Sequence, residues 1–224
     1  MSSLTTESAP RRSFIGRLAA GAVALAGLPL AARHANAAEL AAGVDAWTAP
    51  LALAKHKQVF DAPELNKGFP MIFAGAYLGT MKATYNLTDK GAHAVIVFRH
   101  FGIPTALSDS IWSKYKLGEF FKINDPKTGA PSTRNFFNHA GEGDMAFPQF
   151  AVDKLTDMGN ATFCVCNIAL TVVSELAGKS VGVDKAAAYE EWKAGLLPGM
   201  NIVASGVLGV GRAQEKGCTY CFAG

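Results

Sequence analysis

The chain is predicted to be an α/β protein with three layers, α/β/α, around a mainly parallel sheet of about five strands. Short β-branched or apolar runs alternate with segments of helical spacing along nearly the whole sequence, the order that builds strand-helix-strand units. Several of the runs are continuously apolar, Val95-Ile96-Val97-Phe98 most clearly; strands read this way when helices cover both faces of a parallel sheet. The length suits one well-buried domain, and no internal repeat or low-complexity tract divides it.

The elements follow in order. Residues 38–55 are Ala-rich and read as an N-terminal tail or short helix leading into a domain over 56–224. His56-Lys57-Gln58-Val59-Phe60 is the first strand, and Asp61, Pro63, Asn66 and Gly68 form the turn region after it. Pro70 suits the first turn of a helix, and Phe69, Ile72, Phe73, Ala76, Tyr77 and Met81 then recur at helical spacing to about Tyr85. Residues 92–98 are the second strand. A helix with Pro104 near its start runs to about Tyr115, carrying Leu107, Ile111 and Trp112 on one side.

Residues 122–145 hold no sustained periodicity. A connection this long is uncommon in a compact domain and is often a lid, a binding loop or an assembly surface. Phe136 and Phe137 within it indicate that part of it packs against something. An amphipathic helix over 147–158 leads to a strand over 161–166 and a helix over 168–178, with Gly178 as its stop. Asp184 caps a further helix to Leu197, with Ala188, Tyr189, Trp192 and Leu196 inward, and Pro198-Gly199 ends it. A strand over 201–204, a Gly-containing helix over 206–216 and a strand over 218–222 complete the pattern.

Residues 1–37 read as a twin-arginine signal peptide. Arg11-Arg12-Ser13-Phe14-Ile15 precedes an uncharged stretch over 18–30, and Ala35-Asn36-Ala37 supplies the small residues of a cleavage site. The uncharged stretch is shorter than the roughly 20 residues that span a bilayer, so no stable membrane anchor is expected. No cysteine lies near the cleavage site to carry a lipid. The expected location is periplasmic, with the twin-arginine translocase as a partner during export. The leader holds four arginines and one glutamate of the chain's 21 basic and 18 acidic residues, so the remainder carries no net charge. That balance gives no argument for nucleic acid or anionic lipid as a partner.

The chemistry is expected at Phe163-Cys164-Val165-Cys166-Asn167. Cys166 falls at the carboxyl end of a buried strand, the rim where open α/β sheets bind ligands, just before a helix begins. The first turn of a helix directs free N–H groups and partial positive charge toward that rim, and such surroundings favour the reactive thiolate form of a cysteine. Cys164 is two residues earlier, on the same face of the strand by alternation and one pleat deeper. It reads either as a helper or as a small buried hydrophobe. Arg99 and His100 end the second strand and reach the same rim. They would bind an anionic sulfur compound, hold a thiolate, or hydrogen-bond loop carbonyls.

Other patterns are weaker. Cys218-Thr219-Tyr220-Cys221 has the Cys-x-x-Cys spacing, but in an extended strand residues three apart face opposite ways, unlike a redox pair opening a helix. Either thiol would meet the Cys166 rim, or pair with Cys164, only if their strands are neighbours. Gly206, Gly209 and Gly211 lack the dinucleotide spacing and read as close helix packing. Four thiols with His100 lack paired ligand spacing for a metal, and no nucleophile elbow supports a hydrolase. No cofactor is implied.

Residues 92–100 followed by Gly102-Ile103-Pro104, Cys166-Asn167-Ile168-Ala169-Leu170, and the ending from Ser205-Gly206 to Gly217-Cys218 resemble the DsrE/DsrF-like proteins of sulfur metabolism. The resemblance covers about residues 56–224. It implies a single α/β/α domain, a homo-oligomer, and in active members a cysteine that carries sulfur as a persulfide. The matching position is Cys166, and the implied partners are a sulfur-donor or acceptor protein or a small sulfur compound. The competing reading is a non-catalytic binding or assembly module, in which the thiols are structural and the loop around Phe136 and Phe137 makes subunit or partner contacts.

Overall fold

A computed structural model describes residues 46–224. The leader and the first part of the expected tail lie outside the described residues. Five strands, β1 (His56–Ala62), β2 (Ala92–Phe98), β3 (Ala161–Cys166), β4 (Met200–Val203) and β5 (Thr219–Phe222), form one sheet in the order β4-β3-β2-β1-β5. Every pairing is parallel. The fold is a three-layer α/β/α sandwich. At its centre all seven residues of β2 are buried, His93 among them, as its apolar run Val95-Ile96-Val97-Phe98 requires of a strand covered on both faces.

Among the described residues seven α-helices connect the strands: α1 (Phe69–Tyr85), α2 (Asp109–Lys114), α3 (Leu117–Phe121), α4 (Val152–Asp157), α5 (Asn167–Val181), α6 (Lys185–Ala194) and α7 (Gly206–Glu215). Strand alternation divides the core. Phe60, Ile96, Phe98, Phe163 and Val165 point to one face and pack against α1, α2, α5 and α6, through residues such as Met71, Trp112, Leu170 and Trp192. Val59, Val95, Val97, Cys164 and Val203 point to the other, beneath Val210 and Ala213 of α7. The first three crossovers therefore lie on one face and the last on the other, which carries the chain back past β1 to its free edge.

The second face has another cover. Ala46–Leu53 is a 3-10 helix that buries Trp47 and Leu51 in the smaller cluster. These residues pack onto the sheet, in the region the sequence reads as a tail or short helix leading into the domain. Their spacing gave no signal because two apolar contacts, Trp47 and Leu51, are too few to make a repeating pattern.

Two expected helices are broken. The one ending near Tyr115 is a 3-10 helix, His100–Ala106, followed by α2. Leu107 and Ser108 between them are extended, while Trp112 Nε1 still donates back to the Pro104 carbonyl at 2.9 Å. The one over 147–158 is a 3-10 turn, Pro148–Phe150, and then α4, separated by extended Ala151. Gly178 does not stop α5, which runs on to Val181 and ends at left-handed Gly182, φ 75°. Gly178 is instead a packing position: a Cβ there would stand 2.9 Å from that of Ala188 on α6. Asp184 caps α6 as expected, accepting from Ala186 N at 2.9 Å.

The long connection has no helix or strand between α3 and Pro148, yet it is stapled from within. Arg134 bonds Asp125 and Asp144, each at 2.6 Å. These carboxylates raise the Arg134 pKa, and Arg134 in turn holds Asp144 down to about 2. The Asn135 amide donates to the carbonyls of Thr105 and Leu107 at 2.9 and 2.7 Å. Phe136 and Phe137 are buried in the larger core, Phe136 with its ring 6.1 Å from that of Trp112. Part of this connection thus packs inside the chain, as the two phenylalanines indicated.

Candidate functional site: a thiol and an ion pair on the sheet rim

β3 delivers Cys166 to the carboxyl rim, where extended backbone (φ −67°, ψ 113°) gives way to α5 at Asn167. Cys166 is the N-cap of that helix. Its Sγ accepts from Ala169 N at 3.4 Å, so the sulfur stands where a cap oxygen usually does. The residue is only 5% exposed.

Register places Arg99 beside it. Cys164 pairs with Val97, so two residues further along each strand Arg99 comes abreast of Cys166. The guanidinium binds Asp61 at the end of β1 through two bonds, Nε to Oδ1 at 2.5 Å and Nη2 to Oδ2 at 2.8 Å. The hydrogen bond to Asp61 raises the Arg99 pKa against the opposing cost of burial, and Cys166 is within its electrostatic reach. Tyr220 of β5 donates to the same Asp61 Oδ2 at 2.9 Å. Cys166, Arg99, Asp61 and Tyr220 thus run in a row across β3, β2, β1 and β5.

His100 extends the row toward solvent, its Nδ1 3.0 Å from Arg99 Nη1. Partial burial lowers its pKa first and the Arg99 charge second. It sits at φ 46°, a left-handed conformation that a residue with a Cβ adopts at a cost. From the other side α7 closes over the row: a Cβ on Gly206 would stand 2.6 Å from Arg99 Cβ and 3.2 Å from Cys166 Cβ. Only glycine lets the helix start this near, with Ser205 Oγ capping it at Leu208 N.

The remaining thiols are elsewhere. Cys164 is fully buried in the smaller apolar cluster, and burial raises its pKa, which matches the plain packing reading. Cys218 lies in that same cluster with its pKa pushed up to about 11 by burial, while Cys221 packs against the larger core. The two therefore face opposite ways, as the strand reading required. β5 is three places from β3 in the sheet, about 14 Å at the usual strand spacing and far beyond disulfide reach. All four cysteines are free. Among the described residues no group of three or more His, Cys, Asp or Glu side chains is placed to hold a metal.

Asp61 and Tyr220 were not singled out in the sequence. Asp61 reads there as a turn residue, although β1 in fact continues through Ala62, and Tyr220 meets it only because β5 returns to β1. What such a row can do is bounded by its parts. One backbone donor is on the sulfur, and a guanidinium whose own bonds go to Asp61 and His100 lies within electrostatic reach of it; together they would stabilise negative charge on the sulfur or on an atom bound to it.

The fold and the row together define a parallel α/β/α protein with a thiol at the carboxyl rim of its sheet. No family model and no curated protein matches the sequence. Among solved structures the chain is similar to MTH1491 from Methanobacterium thermoautotrophicum, described as a protein of unknown function. The two are 19% identical, with a TM-score of 0.40 over 75% of this chain and 99% of that one.

Proposed function

We propose that this protein is a periplasmic sulfur carrier of the DsrE-like kind, in which Cys166 holds a sulfane sulfur as a persulfide. The observation that carries the proposal is Cys166 Sγ as the N-cap of α5, with a backbone N–H on it and Arg99 beside it. In the reaction the Cys166 thiolate attacks the outer sulfur of a donor such as thiosulfate. An Sγ–S bond forms, the donor's S–S bond breaks, and sulfite leaves with the bonding electron pair, so no outside oxidant or reductant is needed. Arg99 and the α5 N-terminus meet the charge on the terminal sulfur. Arg99 is held in place by Asp61, which Tyr220 braces in turn. The twin-arginine leader supports a location outside the cytoplasm. Exposed Tyr220 and Phe222 on the edge strand β5 support a homo-oligomer.

Intact-mass spectrometry after incubation with thiosulfate or polysulfide is the test. The expected result is a gain of one sulfur that dithiothreitol reverses and that Cys166→Ser abolishes. Absence of the adduct, or the same adduct in Cys166→Ser, overturns the reading. Serine is a good helix cap, so this variant keeps its fold.

A further inference from the structure

The stapled connection roofs a cleft of about 670 Å³ over the segment that follows β1. That volume is in the range of small-molecule sites, and neither Cys166 nor Arg99 lines it. Leu65, Phe69, Phe136, Phe137 and Met145 make its walls apolar. Its base is shut where Gly68 comes so close that a Cβ would stand 3.0 Å from Met145 Cε and 3.2 Å from the Phe137 ring.

Charge at the mouth is one-sided. Lys67 and Lys122 line it from opposite segments, and both are exposed. Among the described residues neither ammonium has a hydrogen bond or ion pair, while Asp144, the one acid lining the cleft, is already held by Arg134 and Lys127. Both lysines also sit in the left-handed region, at φ 52° and 57°. Lysine has no local hydrogen bond that favours this conformation, unlike Asn or Asp, and glycine would hold either turn without strain. Strain kept at two cations on one cleft mouth is the pattern of a binding site.

We infer that the cleft binds a small anionic amphiphile, an apolar or aromatic body with a carboxylate head, the body among the Phe69, Phe136 and Phe137 rings and the head between Lys67 and Lys122. The site is separate from the Cys166 chemistry and stands or falls without it. The probes are 4-phenylbutyrate and its uncharged counterpart 4-phenylbutan-1-ol, titrated calorimetrically into the full-length protein. Saturable binding of the carboxylate, about tenfold tighter than the alcohol, is expected. In the double variant Lys67→Gly/Lys122→Gly the carboxylate loses about tenfold and the alcohol is unchanged, while the variant melts higher because its turns are relieved. A higher melting temperature also shows that lost binding is not lost folding. Equal affinity for the two probes, no saturable binding of the carboxylate, or full carboxylate affinity in the double variant overturns the inference.

Discussion

His93 shows how one side chain can set the acid limit of the molecule. It points from β2 to the face that α7 covers, 4% exposed, with Nε2 2.8 Å from Thr162 Oγ1 on the neighbouring strand. Burial lowers its pKa to about 4, well below the value of an unfolded histidine. The unfolded chain therefore binds the extra proton first as pH falls, and the folded state loses stability from about pH 6.5 down to about 4. Over that window the loss is on the order of 3 kcal/mol. Urea midpoints measured from pH 7.5 to 4 should fall in the wild type and fall much less in His93→Gln, the remaining loss coming from His100, whose pKa is also lowered. Parallel curves for the two proteins would show that His93 does not carry the effect. Asp144 adds a later loss: its depressed pKa makes its share of stability full above the ordinary carboxylate range and gone as pH falls through about 2.

At the scale of elements, the N-terminus of α7 is the tightest joint. Gly206 leaves no room between the helix and Arg99, so Gly206→Ala must move α7 or lift Arg99 from Asp61. Overpacking of this kind costs about 2 kcal/mol, to be read as a lower urea midpoint with an unchanged slope; a wild-type midpoint would mean the joint is loose. Which elements were legible in the sequence follows the same logic of local against distant cause. β2, β3 and α1 are plain because their own apolar runs and spacing decide them, and α1 is bounded as its periodicity indicates, at Phe69 and Tyr85. The breaks at Leu107 and Ala151 were hidden because apolar periodicity continues through an extended residue. Cys166 was legible from the junction of strand and helix. Asp61 and Tyr220 were not, since their meeting depends on β5 lying beside β1, which no local pattern encodes.

For the molecule as a whole, the two faces of the sheet are unequally protected. Six of the helices contribute buried side chains to the larger core, whereas the smaller cluster depends on α7 and the 3-10 helix over Ala46–Leu53. Trp47 fills that cluster at 5% exposure although its Nε1 has no partner, so packing outweighs the unmet hydrogen bond there. Trp47→Ala should destabilise the protein by about 3 kcal/mol and increase binding of a hydrophobic dye to the second face. If chemical denaturation gives the wild-type free energy, this helix is an appendage and the domain begins at β1.

The return of the chain to β1 has a kinetic meaning as well. Gln58 and Thr219 pair across 161 residues, which makes the pairing of edge strand β5 with β1 the most distant strand contact in sequence. Closing so large a loop is slow because its entropy is lost before the contact rewards it. Until then β1 presents an unpaired edge, the kind that accepts any matching strand, including the same segment of a second copy. The strand exchange that this invites would rebuild Tyr220 against Asp61 with each partner donating to the other, leaving the rim intact while linking two molecules.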